Sequence, residues 1–146
     1  SGNFNLSFLL QFVKQVGYNY FRNMATPGVM LNQPVEMLNV WSPTNPDGII
    51  MPYTTGSNNT TNTLTERFIN STAAVSDASY IRLKNVQLSY RIPLSSKNAV
   101  VNQANVFVQG QNLLTWTNYF GMDPETVAFG FIPPLRTLSL GVQLTF

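Results

Sequence analysis

The chain ends on a segment, RTLSLGVQLTF (136–146), in which apolar and polar side chains alternate without interruption. Its apolar positions are Leu138, Leu140, Val142, Leu144 and Phe146. Because successive side chains of a strand point to opposite faces, a period of two predicts a β-strand with one apolar face. Chain ends normally fray, so a strand this regular at the terminus favours a closed barrel, in which both strand edges are paired.

Three earlier segments alternate in the same way. They are GNFNLSFLLQFVK (2–14), SYIRLKNVQLSYRIP (79–93) and QANVFVQGQNLLTWT (103–117). Together with the terminal segment they predict an all-β protein with strands at 3–14, 79–92, 103–116 and 135–146. We expect an antiparallel sheet in which strands adjacent in sequence are neighbours. The connection between the second and third strands, residues 93–100, is short, and short connections join antiparallel strands.

The second of these strands changes phase in its middle. Ile81 and Leu83 are out of phase with Val86 and Leu88, and a β-bulge near Lys84–Asn85 would bring both pairs to one face. In a membrane barrel the apolar face is expected to contact lipid and the polar face the lumen. The residues expected to face lipid are Phe4, Phe8, Val86, Leu88, Val106, Val108, Leu140 and Leu144. Those expected to face the lumen are Gln87, Gln109, Ser139 and Gln143.

The connections between the strands differ in length. Residues 15–78 and 118–134 are long and rich in turn-forming residues, whereas residues 93–100 form a short turn. Outer-membrane barrels have short periplasmic turns and longer extracellular loops. If the chain ends in the periplasm, the 93–100 turn is periplasmic and both longer loops are extracellular.

Composition agrees with a surface that faces lipid. Charged residues make up 10% of the chain, against about 25% in a typical soluble domain. Aromatic residues gather where the strands would leave the bilayer, as in the interfacial girdles of membrane barrels. They are Tyr18, Tyr20, Phe21, Tyr80, Trp116, Tyr119 and Phe120. A soluble β-sandwich or adhesin fragment, with these aromatics anchoring its loops, is the alternative.

Several functional classes are disfavoured by the residue types present. The net charge is +2 and the cations are scattered singly, so we expect no nucleic-acid partner. The absence of His and Cys removes the usual general base, thiol nucleophile and common metal ligands. We therefore expect no enzyme, no cofactor and no metal site, and the scarcity of carboxylates argues against a β-rich glycan hydrolase.

Two turn-like motifs carry oxygen atoms that could bind a cation. MDPE (122–125) contains Asp123 and Glu125, and NPDG (45–48) contains Asn45 and Asp47. Asp-Pro and Pro-Asp-Gly are common turn sequences. We therefore interpret both motifs as turns rather than as calcium sites.

The segment DASYIRLKNVQLSYRIP (77–93) resembles a characteristic stretch of the SusC-like (RagA-like) TonB-dependent outer-membrane transporters of Bacteroidetes. The resemblance extends through VFVQGQNLLTWTNYFGMDPE (106–125) into PPLRTLSLGVQLTF (133–146), and upstream to NVWSPTNPDGIIMPY (39–53). Several motifs in the family's order make the resemblance specific. It covers residues 36–146, and the first strand fits it in position.

The resemblance implies the last four strands of a large, about 22-stranded transmembrane barrel in the bacterial outer membrane. Members of the family import oligosaccharides or peptides with a SusD-like surface lipoprotein and the TonB complex. Nothing in these residues is readable as the plug or the TonB box. We therefore expect the first and last strands to pair with the remainder of the barrel.

Candidate functional residues follow from this interpretation. Arg82, Lys84 and Arg91 lie away from the apolar face and would point into the lumen, either to pair with plug carboxylates or to touch substrate. Trp41, Trp116 and Tyr119 are loop aromatics that either anchor their loops or contact a ligand or partner. The resemblance implies that Phe146 belongs to the C-terminal signal recognised by the barrel-assembly machinery.

Overall fold

The computed structural model describes residues 2–94, 100–127 and 130–146. The chain divides into two compact units. The sheet unit comprises Ser1–Lys14, Ser79–Asn118 and Ile132–Phe146, and the loop unit comprises Gln15–Ala78 and Tyr119–Phe131.

The described residues form six strands, numbered in chain order. They are β1 (Phe4–Val13), β2 (Val16–Tyr18), β3 (Val75–Asp77), β4 (Tyr80–Ile92), β5 (Gln103–Thr117) and β6 (Thr137–Thr145). In the sheet unit, β1, β4, β5 and β6 form an antiparallel sheet in that order. The predicted all-β fold and the predicted order of neighbouring strands are confirmed.

The register places the apolar side chains of the four strands on one face. Phe8 lies opposite Val86, and Val108 lies opposite both Leu88 and Leu140. Against β1, the pairing passes from Leu9–Asn85 directly to Leu10–Leu83, so Lys84 is the extra residue of a β-bulge in β4. The bulge returns Leu83 to the face of Val86, as the phase change in the sequence predicts.

This apolar face is exposed. Phe4, Phe8, Leu140 and Leu144 have 69%, 64%, 75% and 49% of their surface accessible. Soluble proteins bury one face of a sheet against a second layer, whereas a sheet that faces lipid leaves its apolar side chains outside the protein core. Within the described residues, no second layer covers the apolar face.

The opposite face is mainly polar and contains one close approach that requires glycine. Phe107 and Gly141 are cross-strand partners. A Cβ atom built on Gly141 would lie 2.3 Å from Cζ of Phe107. The Phe107 ring therefore occupies the space above Gly141. This explains why a glycine stands at this position, whereas the other residues on the same face of β6 have polar side chains.

Residues 15–78, interpreted from the sequence as one extracellular loop, contain regular secondary structure that the sequence analysis did not predict. The loop unit contains the antiparallel pair β2–β3, three 3₁₀ helices (Tyr20–Asn23, Val35–Asn39 and Thr72–Ala74) and one α-helix, α1 (Asn59–Ile69). Its core is small and apolar. Met24, Met37, Val40 and Ile50 are buried, and Phe21, Met51, Phe68 and Ile69 pack against them.

Helix α1 forms despite a sequence, NTTNT, of poor helix formers. The Asn58 side chain accepts hydrogen bonds from the backbone N–H groups of Thr60 and Thr61 at 3.0 and 3.3 Å, which satisfies donors that a helix start leaves free. At the other end, Phe68 meets Phe21 edge to face with ring centroids 5.3 Å apart. Capping and tertiary packing therefore outweigh intrinsic propensity.

The predicted bounds of the four long strands lie within two residues of the observed bounds at each end. Residues 95–99 of the predicted 93–100 turn lie outside the described residues, as do residues 128 and 129 of the 118–134 loop. No helix within the described residues is long and apolar enough to cross a membrane.

We predict that Asn58→Ala destabilises the start of α1 by about 1 kcal/mol, because the cap of two backbone N–H groups is lost. The measurement is amide hydrogen exchange, which should accelerate in residues 59–63. Thr63→Ala, at an exposed position inside the helix, is the control and should slow exchange, because alanine has a higher helix propensity than threonine. Equal exchange in the two variants would show that packing alone holds the helix.

Candidate functional site

The polar face of the sheet unit carries a buried cation, Arg82. Its side chain is 1% exposed, and Nε donates a hydrogen bond to Thr115 Oγ1 at 2.9 Å. The guanidinium carbon lies 5.3 Å from the centroid of the Tyr80 ring. In the register Arg82 is flanked by Gln11 on β1 and Thr115 on β5. The register therefore places Arg82 on the polar face of the sheet, in a polar and aromatic environment.

The other two predicted cations lie elsewhere on β4. Lys84 is the extra residue of the bulge, and Arg91 lies near the end of the strand opposite Asn105. Arg91 is exposed, and its backbone N–H donates to Asn3 O at 2.7 Å. The three cations therefore have different surroundings and do not form one cluster.

Between Arg82 and Arg91 the polar face carries amide side chains. Gln109 Nε2 donates to Asn85 Oδ1 at 3.2 Å across the two strands. Gln11 Oε1 is buried without a hydrogen-bond partner. Such a face can bind polar groups or water, but the described residues bring no nucleophile and base together on it.

The three predicted loop aromatics have different locations. Trp116 lies in β5 opposite Ile81, so it belongs to the apolar face and not to a loop. Trp41 is 45% exposed and precedes the turn at residues 42–45, and its backbone N–H donates to Ile50 O at 2.7 Å. Tyr119 belongs to the loop unit, where its hydroxyl donates to Tyr18 O.

Tyr119 helps to line a cleft within the loop unit. The cleft has a volume of about 290 Å³, and its walls include Tyr18, Tyr20, Arg22 and Met122. Burial raises the pKa of the Tyr119 phenol above its ordinary value, and electrostatic interactions with Tyr20 and Asp123 add to the rise. The phenol therefore stays protonated at neutral pH and holds its bond to Tyr18 O.

Arg22 is the functional candidate that the sequence analysis missed. It is half-buried, and its guanidinium carbon lies 5.0 Å from the centroid of the Tyr18 ring. Nη1 donates to Ile69 O at 3.0 Å and also to Asn70 Oδ1. The aromatic residues that precede Arg22 in YNYFRN (18–23) were visible in the sequence, but the contact of Arg22 with residues 69 and 70 depends on the fold of the loop unit.

The two motifs considered for a cation are turns. Asp123 Oδ1 accepts a hydrogen bond from the backbone N–H of Glu125 at 2.9 Å. Asn45 Nδ2 donates to Val40 O at 3.0 Å. Residues 2–94, 100–127 and 130–146 contain no group of three or more metal-binding side chains.

Comparisons with known proteins agree on one family. No family model matches the chain. Two TonB-dependent receptors of Formosa agariphila, P3 and P26, are each 32% identical to it, over 79% and 76% of its length. The aligned region is 12% of each receptor, so the chain spans only a small part of the length of these relatives.

Solved structures give the same result. The RagAB peptide importer in its closed-closed state matches 99% of this chain at a TM-score of 0.72 and 26% identity. A structure of the RagAB peptide transporter matches at a TM-score of 0.75 and 25% identity, and each match covers 16% of the neighbouring chain. Sequence relatives, fold and the ordered motifs agree, and the chain therefore belongs to the TonB-dependent receptors of the RagA-like (SusC-like) type.

Proposed function

We propose that this chain is the C-terminal barrel segment of an outer-membrane, TonB-dependent importer of oligosaccharides or peptides. The observation that carries the proposal is the exposed apolar face, which runs in register across β1, β4, β5 and β6. In lipid this face is solvated by acyl chains, and every backbone group must find a partner within the protein. A larger closed barrel meets both requirements.

The proposal assigns a direction to each strand. With the C-terminus in the periplasm, β6 runs inward and β5 outward, so the connections 15–78 and 118–134 are extracellular. The polar face, with Arg82 and the Asn85–Gln109 bond, then lines the lumen. Arg82 is held by Thr115 and Tyr80, which supports a structural role for this cation on the inner wall.

The substrate class and the partner of the parent receptor are inferred from proteins that are similar to this chain. RagAB is described as a peptide importer, and this supports peptides as the substrate class; oligosaccharides are the other class that the family resemblance implies. The same similarity supports a SusD-like surface lipoprotein as the partner of the parent receptor, with the TonB complex supplying energy. Transport, and not catalysis, is the proposed activity.

The soluble β-sandwich alternative requires a second sheet over the apolar face. In the part of the chain that the structure describes, Leu138, Leu140 and Val142 remain 73%, 75% and 64% exposed. A soluble domain with such a face would be prone to aggregation. The exposed face therefore favours the membrane barrel over the sandwich.

We predict that Leu140→Arg impairs assembly of the parent receptor far more than Gln143→Arg. An arginine facing lipid near the bilayer midplane costs about 2–4 kcal/mol, whereas the same residue in the lumen stays hydrated. The measurement is the fraction of heat-modifiable receptor in purified outer membranes. Equal assembly of the two variants would contradict the assignment of the faces.

We predict that uptake by the parent receptor requires both TonB and a surface lipoprotein. Affinity purification of the receptor from detergent-solubilised outer membranes should recover one lipoprotein in near-stoichiometric amount. Deletion of either the lipoprotein or TonB should reduce uptake of the preferred peptide or oligosaccharide to background. Undiminished uptake in the TonB deletion would exclude this mechanism.

A further inference from the structure

The cleft of the loop unit contains a cation that is not neutralised by an acidic residue. Arg22 contacts a backbone carbonyl, the side-chain oxygen of Asn70 and the face of Tyr18. Among the described residues, no carboxylate pairs with it. A half-buried guanidinium is costly to desolvate without an anionic partner, so this arrangement is favourable for binding an anion.

Arg22 is also held in position before any ligand arrives. The bonds to Ile69 O and Asn70 Oδ1 both use Nη1, which leaves the other guanidinium nitrogens able to donate to a second acceptor. The Tyr18 ring lies against the guanidinium carbon at 5.0 Å, and this contact restricts the plane of the group. Pre-organisation of this kind lowers the entropy lost on binding.

The rest of the cleft suits a small ligand that is partly polar. Its volume of about 290 Å³ is near the lower end of ligand-binding pockets. Tyr18, Tyr20 and Tyr119 provide ring surface, while Met122 provides a flexible apolar wall. Tyrosine rings accept the CH-bearing surface of a ligand and leave its polar groups for the arginine.

We propose that this cleft is a binding site for a carboxylate-bearing ligand, in which Arg22 pairs with the carboxylate and the tyrosine rings hold the adjoining unit. Carboxylate and guanidinium have matching planar geometry and form charge-assisted hydrogen bonds. The carboxylate belongs either to the C-terminus of a peptide or to a uronic acid residue. The role of the site in uptake rests on the proposed function, whereas binding itself does not.

The test measures binding by calorimetry to the parent receptor, purified in detergent, without TonB. The probes are acetyl-Ala-Ala and its C-terminal amide, and glucuronic acid and glucose. We expect at least one acid to bind about tenfold or more tightly than its neutral counterpart, as expected for a charge-assisted pair. A preference for the peptide acid identifies a peptide C-terminus, and a preference for glucuronic acid identifies a uronate.

Variants locate the binding to this cleft. Arg22→Gln should weaken binding of the preferred acid about tenfold. Arg22→Lys should weaken it less than Arg22→Gln, because lysine keeps the charge but lacks the planar guanidinium. Arg67→Gln removes the same charge from an exposed position on α1 and should bind as the unmodified receptor does. Hydrogen exchange in α1 shows whether each variant keeps the fold of the loop unit.

Two results would overturn the proposal. The first is that, in the unmodified receptor, neither acid binds more tightly than its neutral counterpart, or that neither acid binds at all. This comparison needs no variant. The other is an equal effect of Arg22→Gln and Arg67→Gln. Neither result bears on the proposed import function, because the TonB-dependent uptake assay and the heat-modifiable assembly assay measure that function separately.

Discussion

The exposed apolar face of the four-stranded sheet is the constraint on which the remaining features depend. Water solvates such a face poorly, since burying apolar surface is worth about 25 cal/mol per Å². Lipid solvates it well but leaves no water for the backbone groups of an open edge. Only a sheet continued on both sides satisfies the two conditions, and the similarity to RagAB supports this continuation.

The bulge in β4 shows how the sequence maintains that face. Ile81 and Leu83 would point to the polar side if the strand were regular, and the extra residue at position 84 returns them to the apolar side. The same shift leaves Arg82 on the polar face, where it is almost fully buried and bonded to Thr115. The bulge therefore places apolar side chains on the apolar face and Arg82 on the polar face.

The sheet could be predicted from the sequence because the pattern that defines each strand lies within the strand itself. Alternation with a period of two determines which side chains lie on the apolar face and which on the polar face. The phase change between Leu83 and Val86 predicted the bulge. The loop unit could not be predicted in the same way. Helix α1 depends on its Asn58 cap and on the packing of Phe68 against Phe21, and the cleft at Arg22 depends on contacts with residues 69 and 70. The Asn58 cap is local in sequence, but the contacts of residues 21 and 22 with residues 68–70 are long-range, and residue types alone do not reveal them.

The most direct test of the account measures which side of β6 contacts lipid. The 146 residues contain no cysteine, so single cysteines at positions 138–144 can carry a nitroxide label in the parent receptor reconstituted into bilayers. Collisions with oxygen, which concentrates in lipid, should be frequent at Leu138, Leu140, Val142 and Leu144. Collisions with a water-soluble nickel chelate should be frequent at Ser139 and Gln143. Access of the nickel chelate to the even-numbered positions would contradict a lipid-facing apolar surface.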